Sequence, residues 1–177
     1  MKTMSGTAFA LAALAAFAAQ SASDQKKGSL KQQLVGAWTM LSNTFDQDGK
    51  KSEPFGPGAK GSVILTSNGR VAVVITRADL PKVASNNRTT ATPEESQAIV
   101  AGSIAYFGTY TVNEPEKTLV MQLEGSTFPN WTGGEQKRMI EISGDEMKFT
   151  NKAPSMGAGT VTVTWKRVKE GTKTASR

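Results

Sequence analysis

Near its C-terminal end the chain runs Thr160-Val161-Thr162-Val163-Thr164-Trp165-Lys166-Arg167. On an extended backbone Val161, Val163, Trp165 and Arg167 share one side, and Thr160, Thr162, Thr164 and Lys166 the other. This period of two, written in β-branched and aromatic residues, marks a strand with one dry and one wet face. The same alternation recurs upstream: Glu146–Asn151 turns Met147 and Phe149 inward, and Lys117–Glu124 turns in Leu119, Met121 and Leu123. Further strands are expected at Trp38–Phe45, Ser62–Thr66, Arg70–Thr76, Ala105–Val112 and Glu135–Ile142. Turn residues separate them, and Ser67-Asn68-Gly69 and Ser143-Gly144-Asp145 have the chemistry of tight hairpins. The fold class is therefore all-β, and eight short strands of one kind imply a sandwich or an up-and-down antiparallel barrel.

One segment breaks the pattern. Thr92-Pro93-Glu94-Glu95 offers a hydroxyl N-cap, a proline at the first helical position and acids in the first turn. We expect one short helix there, inside a long excursion over residues 78–104 placed to cover a barrel mouth, with Ile99 and Ile104 facing inward.

Composition narrows the chemistry. The chain of 177 residues contains no histidine and no cysteine, so imidazole catalysis, thiolate chemistry, disulfides and His- or Cys-ligated metals are excluded. No nucleotide-binding loop or cluster of metal ligands is present, and we expect no cofactor and no metal. The formal charge is +6, but the basic residues are scattered and never interleave with aromatics in a stripe, which argues against a nucleic-acid partner.

Residues 1–22 read as an address rather than fold. Lys2 precedes the apolar run Ala8–Ala19, which gives way to Gln20-Ser21-Ala22-Ser23, the layout of a secretory signal peptide. The run is short for a bilayer span, which takes about 20 residues; an uncleaved anchor is the alternative. The expected organisation is a signal peptide (1–22), an N-terminal linker (23–32), a barrel domain (33–168) and a C-terminal tail (169–177), with the mature protein secreted or periplasmic.

Glu135–Ile142 carries an anomaly. Ile140 and Ile142 share their inner face with Gln136 and Arg138, while Glu135, Lys137, Met139 and Glu141 take the wet one. An inward guanidinium needs a carboxylate, carbonyls, water or a ligand, since a buried unpaired charge costs several kcal/mol. It is a structural ion pair, a residue at the barrel end that reaches solvent, or a contact for a ligand's acidic or carbonyl group. Tyr106 and Tyr110 share one face of their strand, as core residues or as pocket lining. Phe128 and Trp131 flank a Pro129 turn, either plugging the barrel end or forming an aromatic lip.

Two groups of residues carry a family resemblance. Leu34-Val35-Gly36-Ala37-Trp38 at the first strand, with Arg167 at the last, is similar to the lipocalin arrangement. The resemblance implies that Gly36, Trp38 and Arg167 close one barrel end, the guanidinium lying over the indole for about 0.5–2 kcal/mol. More specifically, Ala105-Tyr106-Phe107-Gly108-Thr109-Tyr110, followed by Phe128-Pro129-Asn130-Trp131-Thr132-Gly133 and Gln136-Lys137-Arg138, resembles the lipocalin-like domain family of bacterial and fungal proteins. It covers about residues 33–168 and implies an eight-stranded calycin-type barrel. The chain departs from the family in one place: members often carry a His in the strand before the Phe-Pro-Asn-Trp loop, where this chain reads Leu119-Val120-Met121-Gln122-Leu123. Met121 makes that part of the lumen apolar and adaptable.

The expectation is a binding protein that holds a small hydrophobic or amphipathic molecule in the barrel, with Tyr106, Tyr110, Met121, Leu123, Phe128, Trp131 and Arg138 as ligand contacts and Trp38, Met40, Val73 and Phe149 completing the lining. This requires a lumen with room for such a molecule. Two alternatives stand beside it. One is an isomerase- or cyclase-type enzyme, with Tyr106 or Tyr110 as acid and Arg138 stabilising an oxyanion. The other is a packed structural barrel whose partner docks on an apolar patch of its outer wall.

Overall fold

The computed structural model describes residues 28–169; the expected signal peptide, the first half of the expected linker and the tail beyond Lys169 lie outside them. A short helix α1 (Leu30–Leu34) leads into strands β1 (Gly36–Gln47), β2 (Lys50–Ser52), β3 (Lys60–Leu65) and β4 (Arg70–Thr76). Helix α2 (Pro93–Gly102) precedes β5 (Ser103–Asn113), β6 (Thr118–Ser126), β7 (Glu135–Ser143), β8 (Glu146–Asn151) and β9 (Thr160–Arg167). From β3 onward each strand pairs antiparallel with the next, and β1 pairs with both β3 and β9. Trp38 and Thr39 sit at the seam, opposite Val63 and Ser62 on one side and Arg167 and Lys166 on the other. The result is a closed eight-stranded up-and-down antiparallel barrel, with β2 a small ribbon on the far half of β1.

The expected strands are all present: β4, β8 and β9 have the expected bounds, β3, β6 and β7 are one residue longer, and β1 and β5 are longer by four and three. Two elements were not expected. β2 is three exposed residues and has no apolar signal to read. Helix α1 begins inside the expected linker. Its Ser29 cap accepts from the Gln32 amide at 3.2 Å while Gln32 accepts from the Ser29 amide at 2.9 Å, a reciprocal cap that satisfies two free amides. The Glu114 carboxylate, from the β5–β6 turn, accepts from the Leu30 and Lys31 amides at 2.9 and 3.1 Å. Leu34 is thereby driven into the core, fully buried.

The interior follows the alternation except in β1. A bulge between Met40 and Ser42 inserts one residue, so the inward face passes from Trp38 and Met40 to Asn43 and Phe45. A polar Asn43, 3% exposed, thus enters the core, its side-chain oxygen accepting weakly from the Phe55 amide at 3.4 Å.

The two barrel ends differ. At one, α1 and the hairpins at 66–69, 113–117 and 143–145 close the floor. Trp38, fully buried, donates its Nε1–H to Leu34 O at 2.9 Å. The Arg167 guanidinium lies 4.0 Å over the Trp38 ring and donates to Val35 O at 2.9 Å and to Gln33 O. Gly36 makes this possible: it adopts φ +134°, and a Cβ there would stand 3.1 Å from Arg167 Nη1. The other end is ringed by longer loops and holds the cavity described next.

Candidate functional site

A cavity of about 50 Å³ lies inside the open end of the barrel. Strands supply its wall through the alternation of each: Ile75 from β4, Ile104 and Tyr106 from β5, Arg138 from β7, Phe149 from β8, and Val161, Val163 and Trp165 from β9. Its rim is Phe55, Trp131 and the Pro154–Met156 segment of the β8–β9 loop. Of the excursion expected over residues 78–104, only its last residue, Ile104, lines the cavity. Arg77 N donates to Gly102 O at 2.8 Å, which pins the two ends of the excursion together, and α2 packs beside β5 instead.

Arg138 is the charged group of this cavity. It is only 4% exposed, and its Nη1 donates to Lys137 O at 2.7 Å and to Gln136 Oε1 at 3.3 Å. Its guanidinium faces two rings, 5.5 Å from the Trp131 centroid and 6.0 Å from that of Tyr106. Among the described residues no carboxylate pairs with it and none lines the cavity. Neutral carbonyls and aromatic faces solvate a cation in part, and its positive charge stays uncompensated in a low-dielectric setting.

Trp131 is held by the turn that the sequence singled out. Pro129–Trp131 form a single 3-10 turn, and Trp131 packs edge-on against Tyr106 at 5.5 Å and Phe128 at 5.7 Å. Phe128 thus supports the lip from behind. Of the seven expected ligand contacts, the fold brings Tyr106, Trp131 and Arg138 together at the cavity. Met121 and Leu123 are buried in the core and do not line it. Tyr110 lies toward the floor, where its hydroxyl donates to Thr66 O at 2.8 Å. Burial pushes its phenol above the ordinary value, so it stays a proton donor.

Trp165 was read from the sequence only as core, and the alternation did place it indoors. It is 1% exposed, stacks edge-on near Phe149 at 6.1 Å and lines the cavity. Its Nε1–H is buried without a hydrogen-bond partner among the described residues. Such an orphan donor costs about 1–3 kcal/mol. Period-two patterning tells which side a tryptophan faces and is silent on its N–H.

The chain is similar to several known proteins. A carrier protein for 4'-hydroxy-3'-methoxypropiophenone from Aspergillus oryzae is 30% identical over 74 residues, covering 38% of this chain and 67% of the relative. Among solved structures, a fatty acid transporter aligns at 12% identity and TM-score 0.36, covering 78% of this chain and 98% of its own. A mutant of the fluorescent protein UnaG aligns at 12% identity and TM-score 0.35, with coverages of 77% and 97%. The family model for the lipocalin-like domain matches residues 35–168, from the closing turn before Trp38 to the residue after Arg167, and the chain therefore belongs to the lipocalin-like domain family.

Proposed function

We propose that this protein is an exported binding protein that takes a compact hydrophobic or amphipathic molecule into the open end of its barrel, against Tyr106, Trp131 and Arg138. The observation that carries this reading is the guanidinium of Arg138, 4% exposed and bordering a cavity with no carboxylate to pair it. A relative named as the carrier of a small aryl ketone supports a ligand of one-ring size. The cavity of about 50 Å³ is far below the roughly 300–1,000 Å³ of drug-sized sites. A long acyl chain does not fit it, and even a compact ligand displaces rim side chains, Met156 and Trp131 first, both flexible or loop-borne.

Replacing Arg138 by methionine separates function from stability. Removing a buried, unpaired charge in favour of an apolar side chain leaves stability unchanged or raises it by up to about 2 kcal/mol, a thermal midpoint shift of zero to about +6 °C. The same change is expected to weaken binding of propiophenone, followed by quenching of tryptophan fluorescence, at least tenfold. If the wild-type protein neither quenches with this probe nor retains a small molecule in native mass spectrometry, the binding reading falls.

A second reading, the packed barrel with an external partner, has its own observation. On the outer wall Ile64, Val74 and Phe107 are each about half exposed on neighbouring strands β3, β4 and β5, around a groove of about 470 Å³. A barrel that binds no small molecule in the experiment above would leave this wall as the working surface. Export is tested separately: expression in a bacterium with N-terminal sequencing of the exported protein is expected to show removal of the residues up to the Ala18–Ser23 region. Full-length protein retained in the cytoplasm would reject it.

A further inference from the structure

We propose that Trp165 is a ligand-binding residue. Its Nε1–H and the Arg138 guanidinium form a two-donor site for an oxygen acceptor, a carbonyl or carboxylate carried on a compact apolar body. The inference rests on the binding reading above and adds to it the chemistry of the bound end.

Three observations converge. The Trp165 ring lines the cavity that Arg138 also lines. The Trp165 N–H is a buried donor that no described group accepts, against the general rule that buried donors are paired. The contrast with Trp38 is internal to the fold: that indole, equally buried, donates to Leu34 O at 2.9 Å. Most of the remaining wall is apolar (Ile75, Ile104, Phe149, Val161, Val163), with Asn151 as its other buried polar side chain, so it receives hydrocarbon. The Trp165 N–H has no acceptor among the described residues, and the Arg138 guanidinium has only neutral ones, Lys137 O and Gln136 Oε1; a ligand oxygen supplies the first with a partner and the second with a further one. A ligand without such an oxygen would leave the first unsatisfied and the second with its neutral acceptors alone. The site therefore selects by what it punishes, as buried polar pockets do.

The test uses matched probes: propiophenone, which carries a ketone, and propylbenzene, the same skeleton without the oxygen. 3-Phenylpropionate serves as the carboxylate arm. Affinities are measured by calorimetry on the wild type and on Trp165→Phe. The wild type is expected to prefer the oxygen-bearing probes at least tenfold over propylbenzene. Trp165→Phe is expected to reduce that preference about fivefold to tenfold, the effect of one hydrogen bond, with propylbenzene affinity little changed. Which of the two oxygen probes binds more tightly identifies the acceptor. A second readout needs no mutation. In ¹H–¹⁵N spectra of tryptophan-labelled protein, one of three indole N–H signals should move with propiophenone and stay put with propylbenzene. The Trp165→Phe spectrum, if the variant folds, identifies which. Probes that bind with an oxygen preference untouched by Trp165→Phe, or with the same indole shift for both skeletons, overturn this inference and leave the binding reading standing. No binding of any probe to the wild type overturns both.

Discussion

Changing Gly108 to alanine is expected to unfold this protein or lower its thermal midpoint by roughly 10 °C or more, the largest effect of any single methyl group in the barrel. A Cβ at position 108 would stand 2.0 Å from the carbonyl oxygen of Gln122 and 3.0 Å from Leu123 Cα, both backbone atoms of the neighbouring strand. Backbone cannot step aside as a side-chain tip can, so the strands must separate. The register between β5 and β6 already slips between Phe107 and Gly108, and the two chains approach closely at this irregularity. We expect a loss of about 3 kcal/mol or more, above the usual range for overpacking. The exposed neighbour Thr109→Ala should cost under about 0.5 kcal/mol. Melting curves followed by far-ultraviolet circular dichroism check the pair. Equal melting of the two variants would show that the strand crossing is looser than described. The glycine of the Ala105–Tyr110 motif thus has a steric reason that does not depend on any ligand.

The second large effect is at the floor. Trp38→Ala is expected to cost about 3–5 kcal/mol, the range for truncating a fully buried aromatic. The loss extends beyond the cavity it leaves, because Arg167 lies on the ring and Leu34 O takes the indole proton. Trp38→Phe keeps much of the volume and leaves that carbonyl unpaired, for about 1–3 kcal/mol. Urea unfolding of both variants should therefore rank wild type, Phe and Ala in that order, with similar slopes. A Phe variant as unstable as the Ala variant would mean that the hydrogen bond, not the packing, closes this end.

Much of the barrel was legible because its strands obey one rule. Val161, Val163 and Trp165 alternate without interruption, and β9 begins and ends where the pattern does. β1 was harder: the bulge after Met40 changes the phase, so Asn43 and Phe45 rather than Ser42 and Thr44 face inward, and no residue type announces it. Arg138 was found from the sequence because a charge on an apolar face stands out. The cavity around it was not, since its rim comes from Phe55 and Pro154–Met156, loop residues whose place depends on the closed shape. Tyr110 shows the converse limit. Alternation puts it indoors beside Tyr106 and says nothing of the distance along the barrel axis, which carries it to the floor.

Closure of the ladder between β1 and β9 bears on which strand edges the barrel leaves open. A sheet that circles back on itself offers passing copies no row of open amides and carbonyls to extend. Among the described residues the strand left with a single partner is β2, and it reads Lys50-Lys51-Ser52, every residue exposed. Two adjacent ammonium groups on so short a ribbon repel a second ribbon of the same kind. Among the described residues the sheet therefore presents a further strand with only this short, charged edge, and it does so without a single disulfide.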